Sequence, residues 1–477
     1  MTPLPPPLPG RSGPDGPPPP TWPASAPTNA HRRVSRRVLL LSAGGAVLTA
    51  GGVAAWISRS GGPSAANGTP PSSADTAAPA TTDGVTPPST APATTASPSA
   101  TTTPSTPTAV TPSDRVLVVV QMSGGNDALN TLVPITGTYH DLRPSLGLAD
   151  DTLIALPGET GYGLHPSLAP LAPLLDTGEL GVLAGVGFPD PDRSHFAALD
   201  MWWSATPGQT FRTGWLGRWL DAAATPDDVV LRSTGLGGAV PALQAERSAS
   251  VGVNSLSQFV LPDIDPSVLT AWTSLAPEHA AAASAVDVMS ALDLSWLADE
   301  QGDAQGDGQD AGQADDDSVV ARLAAAAELI ATEPGVRVVF VSTSGFDTHA
   351  DQLAVQARLL DELATGIARF RRRLDESGDA DRVLLVTTSE FGRRVQENGS
   401  GGTDHGKGGM AFVVGSRLTA GAIVVHGSID PSDTDDGDLR PVVDPRSLYA
   451  TALDWLGPDS GLTDAVLGGT FERLPWR

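Results

Sequence analysis

Two apolar runs separated by a polar gap constrain this chain more than any other feature. Val383-Leu384-Leu385-Val386 and Met410-Ala411-Phe412-Val413-Val414 read as strands, and Glu390, Arg393, Asp404 and His405 lie between them. A second junction of this kind lies upstream, where the run 336–341 leads into Asp347 and His349. Runs 115–121 and 180–186 are likewise almost continuously apolar. A strand with apolar residues at successive positions is buried on both faces, which is the mark of a mainly parallel sheet. Helix-compatible stretches at 323–330 and 353–373 alternate with these strands, so the fold class predicted is α/β, with helices on both faces of a central, mainly parallel sheet. In such folds the chemistry sits in loops at the strand ends.

Composition decides where the fold can begin. Pro, Ala, Thr, Ser and Gly dominate the first 113 residues, so the folded part is expected to start near Asp114 and to run to Arg477 as one large domain with insertions. Residues 58–113 hold almost no aliphatic bulk and read as a disordered, extended stalk of Pro, Thr, Ser and Ala. Residues 299–317 contain no apolar side chain larger than Ala and read as a disordered acidic insertion; the spacing of a calcium loop is missing. The formal net charge of -25 argues against a nucleic-acid partner, because no basic stripe exists to displace phosphate counterions. The chain has no cysteine, so any metal must be held by imidazole and carboxylate.

Residues 1–57 carry the layout of an export signal. Arg36 and Arg37 stand in Ser35-Arg36-Arg37-Val38-Leu39-Leu40, similar to the twin-arginine consensus, ahead of a Gly/Ala/Leu/Val-rich run to Ile57. Residues 38–57 are also just long enough to span a bilayer, so a cleaved signal and a retained membrane anchor both stay open. Either way the domain is expected to work outside the cytoplasmic membrane, in the cell envelope or secreted, with the stalk holding it off the surface.

The candidate site residues follow from position. Asp347 and His349 lie two apart, so in an extended segment they face one side. Glu390 ends an apolar strand, where a buried carboxylate needs a cation or donors; Arg393 or Arg394 could equally supply a plain ion pair. His405 is followed by Gly406, which permits close approach of a ligand. Asp127 follows Gly124-Gly125-Asn126 after the first strand, as a metal ligand or an Asx turn. Ser194 is expected to cap a helix, with its hydroxyl beside free backbone N–H groups and His195 next to it.

Six blocks in order resemble a bacterial family known as domain of unknown function 1501: GGNDALNTLVP from Gly124, GLHPSLAPL from Gly163, DRSHFAALDMW from Asp192, FDTHADQ from Phe346, TSEFGR from Thr388 and TDHGKGG from Thr403. The resemblance spans residue 115 to about residue 456 and implies twin-arginine export. That family is grouped with the alkaline phosphatase and sulfatase superfamily, which implies an alkaline phosphatase-like sheet with divalent metal at its carboxyl edge and hydrolysis of a phosphate or sulfate ester, small or polymeric. Carried over, the resemblance implies Asp127, Asp347, His349, Glu390, Asp404 and His405 as metal ligands, Ser194 as nucleophile beside His195, and Arg393 neutralising the anion. The ion would be Zn, Mn, Ca or Mg. Asp347 and His349 have one residue between them where the superfamily has three, and Glu390-Phe391 replaces an Asp-His. The alternative is a catalytically degenerate domain that binds a cell-envelope polymer or protein partner. A lipase-like reading of Gly124–Asp127 fails for want of an early Gly-Asp-Ser and a late Asp-x-x-His.

Overall fold

The computed structural model describes the backbone of residues 40–42, 45–50 and 53–57, and residues 114–475 except 160, 224–231, 239, 249, 255, 257–316, 417, 419–424 and 458. The chain divides into two units, residues 1–38 and 39–477, of which the first lies outside the described residues. The stalk and the acidic insertion up to residue 316 also lie outside them. Part of the expected export signal is described, as extended backbone in Leu40–Ser42, Gly45–Ala50 and Val53–Ile57. Among the described residues no helix is long and apolar enough to cross a membrane.

The main sheet uses β1 (Val116–Met122), β2 (Leu180–Val186), β3 (Ser233–Leu236), β4 (Val251–Val253), β5 (Val338–Thr343), β6 (Val383–Thr388), β7 (Gly409–Val414) and β8 (Val425–Gly427). Their order across the sheet is β4-β3-β5-β1-β6-β7-β2-β8, with Val53–Ile57 pairing outside β4. All neighbouring pairs among these eight are parallel except the two that β7 makes, with β6 and β2. The mainly parallel α/β sheet expected from the sequence is therefore present, with one reversed strand. Pairing of β7 with β2 also carries a register shift at Gly409/Met410.

Side chains on a strand alternate between faces, and both faces here are covered. Val116, Val118 and Val120 of β1 join Val339, Val341, Val383 and Leu385 in a core with helices α3 (Val319–Thr332) and α4 (Gln352–Ser377). Leu117 and Val119 join Val338, Phe340 and Leu384 in a second core with α2 (Trp215–Ala222) and α5 (Pro445–Leu456). That is why these strands read as unbroken apolar runs. Helix α1 (His195–Ser204) follows β2, and its first residue stands at the carboxyl edge of the sheet.

Ahead of β2, Pro166–Leu171 forms a 3-10 helix. Pro170 inside it has no N–H to donate, which removes a rung of any α-helix.

Candidate metal centre

Three loops meet at one edge of the sheet because of strand direction. β1, β5 and β6 are adjacent and parallel, in register through Met122↔Thr343 and Gln121↔Thr388, so the loops that follow them leave side by side. β7 runs the other way, so the loop after β6 returns into it from the same edge, with Glu390 at its start and Asp404 and His405 near its end. Gly124 turns the chain away from β1 with φ +121°, and a Cβ there would lie 2.3 Å from the Asp347 backbone nitrogen. Only glycine allows the first two loops to touch in this way. The third loop is tied in where Glu390 Oε1 accepts the Gly124 N–H at 2.8 Å, and its two limbs are joined by an isolated bridge between Arg393 and His405.

Three imidazoles converge on Asp347, and each is turned by an acceptor behind it. His195 Nδ1 lies 2.9 Å from Glu390 Oε1, His405 Nδ1 2.9 Å from the Arg193 carbonyl, and His349 Nδ1 3.2 Å from Asp404 Oδ1. A carbonyl or an accepting carboxylate oxygen needs a donor, so Nδ1 of each ring is assigned the proton and Nε2 the lone pair. All three Nε2 atoms then face inward. Their distances to Asp347 are 3.4 Å from His195 (Oδ2), 3.1 Å from His349 and 3.0 Å from His405 (both Oδ1), and the Nε2 atoms of His349 and His405 are 3.0 Å apart. Phe391 packs its ring against His195 and His405 at 5.0 and 4.6 Å between centroids, forming an apolar wall.

Electrostatics sharpen the point. Partial burial acts to raise the Asp347 carboxyl, but its neighbours His405 and Arg393 outweigh it and hold its pKa down at about 2, with the Arg393 guanidinium donating to Oδ1 at 2.8 Å. Burial likewise acts to raise Asp404 and is outweighed by hydrogen bonds to His349 and Asn398, which lower it. An ionised carboxylate thus faces imidazole lone pairs with no proton of its own to offer. His195 Nε2 and Glu390 Oε2 are buried and have no hydrogen-bond partner. His195, Asp347 and His405 offer ligand atoms that all lie within 4.8 Å of one another. Acceptors gathered in this way fit a cation, and rings braced from behind by carboxylate or carbonyl oxygen are the usual arrangement around one.

The other candidates lie elsewhere. Asp127 is 2 % exposed, and its carboxylate is taken up by Arg143, by Gln352 and by the Leu129 N–H at 3.1 Å, so the structure does not bring it to the histidines. Arg393 is fully buried, with its guanidinium spread over the carbonyls of Gly124, Gly125, Phe346 and Thr403 as well as Asp347; it gathers the loops and does not stand open to an anion. Ser194 is exposed at the start of α1, where its N–H donates to Asp192 at 2.8 Å and its hydroxyl makes no capping bond, contrary to the cap expected. Sequence reasoning passed over Arg193 and Gln352, although each sits inside one of the quoted blocks, and read Phe391 only as the replacement of an imidazole. Nothing in residue type marks a backbone carbonyl as the brace of a histidine.

The family model described as "Protein of unknown function (DUF1501)" matches residues 179–474, more than half of the chain. The chain belongs to this family. The DUF1501 match starts later than the resemblance read from the sequence, so the blocks at Gly124 and Gly163 precede it, while His195, Asp347, His349, Glu390 and His405 lie within it. No curated protein matches this DUF1501 chain in sequence. Similar solved structures include the lipoteichoic acid synthase LtaP from Listeria monocytogenes, at 10% identity, covering 76% of this chain and 78% of that one, with a TM-score of 0.33. The PsFucS1 sulfatase from Pseudoalteromonas sp. is similar at 14% identity, 72% and 68% coverage and a TM-score of 0.34. The phosphonate monoester hydrolase SpPMH from Silicibacter pomeroyi is similar at 10% identity, 72% and 73% coverage and a TM-score of 0.34.

Proposed function

We propose that this protein is an exported, metal-dependent hydrolase of a phosphate or sulfate ester. The observation that carries the reading is the set of inward-facing acceptors around Asp347, with the unpartnered Nε2 of His195 among them. His195, Asp347 and His405 would hold the ion, with His349 beside them and Glu390 fixing the His195 ring. Several imidazoles in one set favour Zn or Mn over Ca or Mg, which take oxygen. When bound, such an ion supplies Lewis-acid polarisation of an ester oxygen.

The chain's own residues supply the rest. Asp404 keeps the Nδ1 proton of His349 in place, and Arg193 does the same for His405. Phe391 excludes water from one wall. Ser194, with an uncommitted hydroxyl one residue from a ligand and at the amino end of α1, is the nucleophile, because developing negative charge there faces backbone N–H groups. One observation favours the second reading, a binder without turnover: Phe391 stands where the superfamily pattern has an imidazole, which leaves room for fewer ligands.

The test is metal analysis of the purified full chain, followed by titration with Zn and Mn and a broad ester screen. His195→Ala and His405→Ala are expected to lose the metal. A wild-type chain that binds no metal sinks the proposal; metal without turnover of any phosphate or sulfate ester leaves the binder. Full activity in Ser194→Ala removes the nucleophile. Export by the twin-arginine route is tested separately: Arg36→Lys with Arg37→Lys is expected to stop it, and unchanged export assigns the protein to the general secretory route.

A further inference from the structure

Behind the centre runs a buried polar chain that the proposed chemistry does not use. Arg143, 1 % exposed, grips the Asp127 carboxylate and donates to the carbonyls of Val395 and Arg394, each at 2.9 Å. The same carboxylate accepts from the side-chain amide of Gln352, which is fully buried at the first position of α4. Because a carboxylate accepts, the amide has one orientation: nitrogen toward Asp127, oxygen away from it. That oxygen accepts two hydroxyls, from Thr403 at 2.7 Å and from Thr348 at 3.1 Å. Thr348 stands between Asp347 and His349, and Thr403 two residues before His405. The backbone repeats the tie, with Thr403 N–H donating to the Thr348 carbonyl at 3.1 Å and Gln352 N–H to that of Gly401 at 3.0 Å.

We propose that Gln352, oriented by Asp127, is a positioning residue: its single carbonyl oxygen clamps the Asp347–His349 loop to the Asp404–His405 loop and so sets the spacing of the inward-facing nitrogens. The clamp stands on hydrogen bonds alone; its consequence for metal affinity rests on the metal reading given above. Asp127 acquires through it a role in the centre without touching any ligand, which explains a carboxylate after β1 that is engaged by Arg143, Gln352 and the Leu129 N–H.

The test uses the full chain and cobalt(II), whose visible absorption reports ligand geometry. Thr403→Val keeps the shape of a fully buried side chain and removes its donor, Thr403→Ser keeps the donor, and Gln352→Met removes the acceptor. Thr403→Val, Gln352→Met and Asp127→Asn are expected to weaken cobalt binding about 10–100-fold and to alter the absorption band, while Thr403→Ser retains wild-type affinity and band shape. Wild-type affinity in Thr403→Val overturns the proposal, as does an affinity that merely tracks the apo-protein Tm across all four variants. If the wild type binds no cobalt, the metal reading fails and the clamp is read in the metal-free protein: the imidazole 15N resonances of His349 and His405 should shift in Thr403→Val and stay put in Thr403→Ser, and no shift in either overturns it. Should Thr403→Val not fold, Thr348→Val cuts the other arm of the same clamp.

Discussion

Arg393 does the work of a fastener, since Nε reaches Gly125 O at 2.8 Å, one terminal nitrogen Thr403 O at 2.8 Å, and the other Phe346 O at 2.7 Å and Asp347 at 2.8 Å. Arg393→Met leaves those carbonyls buried without donors, at about 1–3 kcal/mol each, so urea unfolding should show a loss of at least about 3 kcal/mol. His165 is a different case. Burial pushes its pKa from 6.5 down to about 4, and its Nδ1 accepts the Ser167 N–H at 3.0 Å. The unfolded chain therefore takes up a proton first as pH falls, so stability from this group is complete above about 6.5 and drains away toward about 4, by roughly 3 kcal/mol in all. His165→Gln should flatten the pH dependence of the urea midpoint across that window; an unchanged slope removes His165 as its cause. The ionisable residues at strand ends were legible as candidates from residue type and position. The surroundings of Asp127 were not, because an Asp after a Gly-Gly-Asn turn looks the same in sequence whether a metal or an arginine faces it.

Among elements, the continuous apolar strands were legible because both faces of β1, β5 and β6 are buried, and apolar residues at successive positions have no other common cause. Helix α4 was read as 353–373 and spans Gln352–Ser377, ending where Gly378 turns at φ +81°. The direction of β7 was not legible: no residue in Gly409–Val414 records which neighbour it will oppose. The turn after β1 carries a prediction of its own. Gly124→Ala combines φ +121° with a Cβ 2.3 Å from the Asp347 nitrogen. Strain of this kind costs about 1–3 kcal/mol even without the clash, and relief requires the Asp347 loop to move. A lowered Tm together with weakened metal binding is the expected outcome, whereas a lowered Tm with intact binding would separate the turn from the centre.

For the whole molecule, the centre draws on residues from Gly124 to His405, so it exists only when the sheet is assembled. A metal that binds this assembled edge and not the unfolded chain stabilises the domain by about 2.7 kcal/mol at a hundredfold excess over its dissociation constant. Calorimetry should show the main transition rising by a few degrees with Zn and falling again with a chelator; a metal-sensitive shoulder beside an unmoved main peak would assign binding to a local segment instead. The limits of the folded part near Asp114 and the acidic insertion were read from composition, and most of what precedes and interrupts the domain lies outside the described residues. The register shift at Gly409/Met410 lies four residues beyond His405, between the reversed strand and β2. Side chains change face with every residue of register. The residue left over is Gly185 of β2, at φ +70°; a relative lacking it would keep the pairs from Met410 onward and turn over the stretch that leads from β2 to Arg193 and His195, so a single codon lost there would re-aim one imidazole of the centre on an otherwise unchanged scaffold.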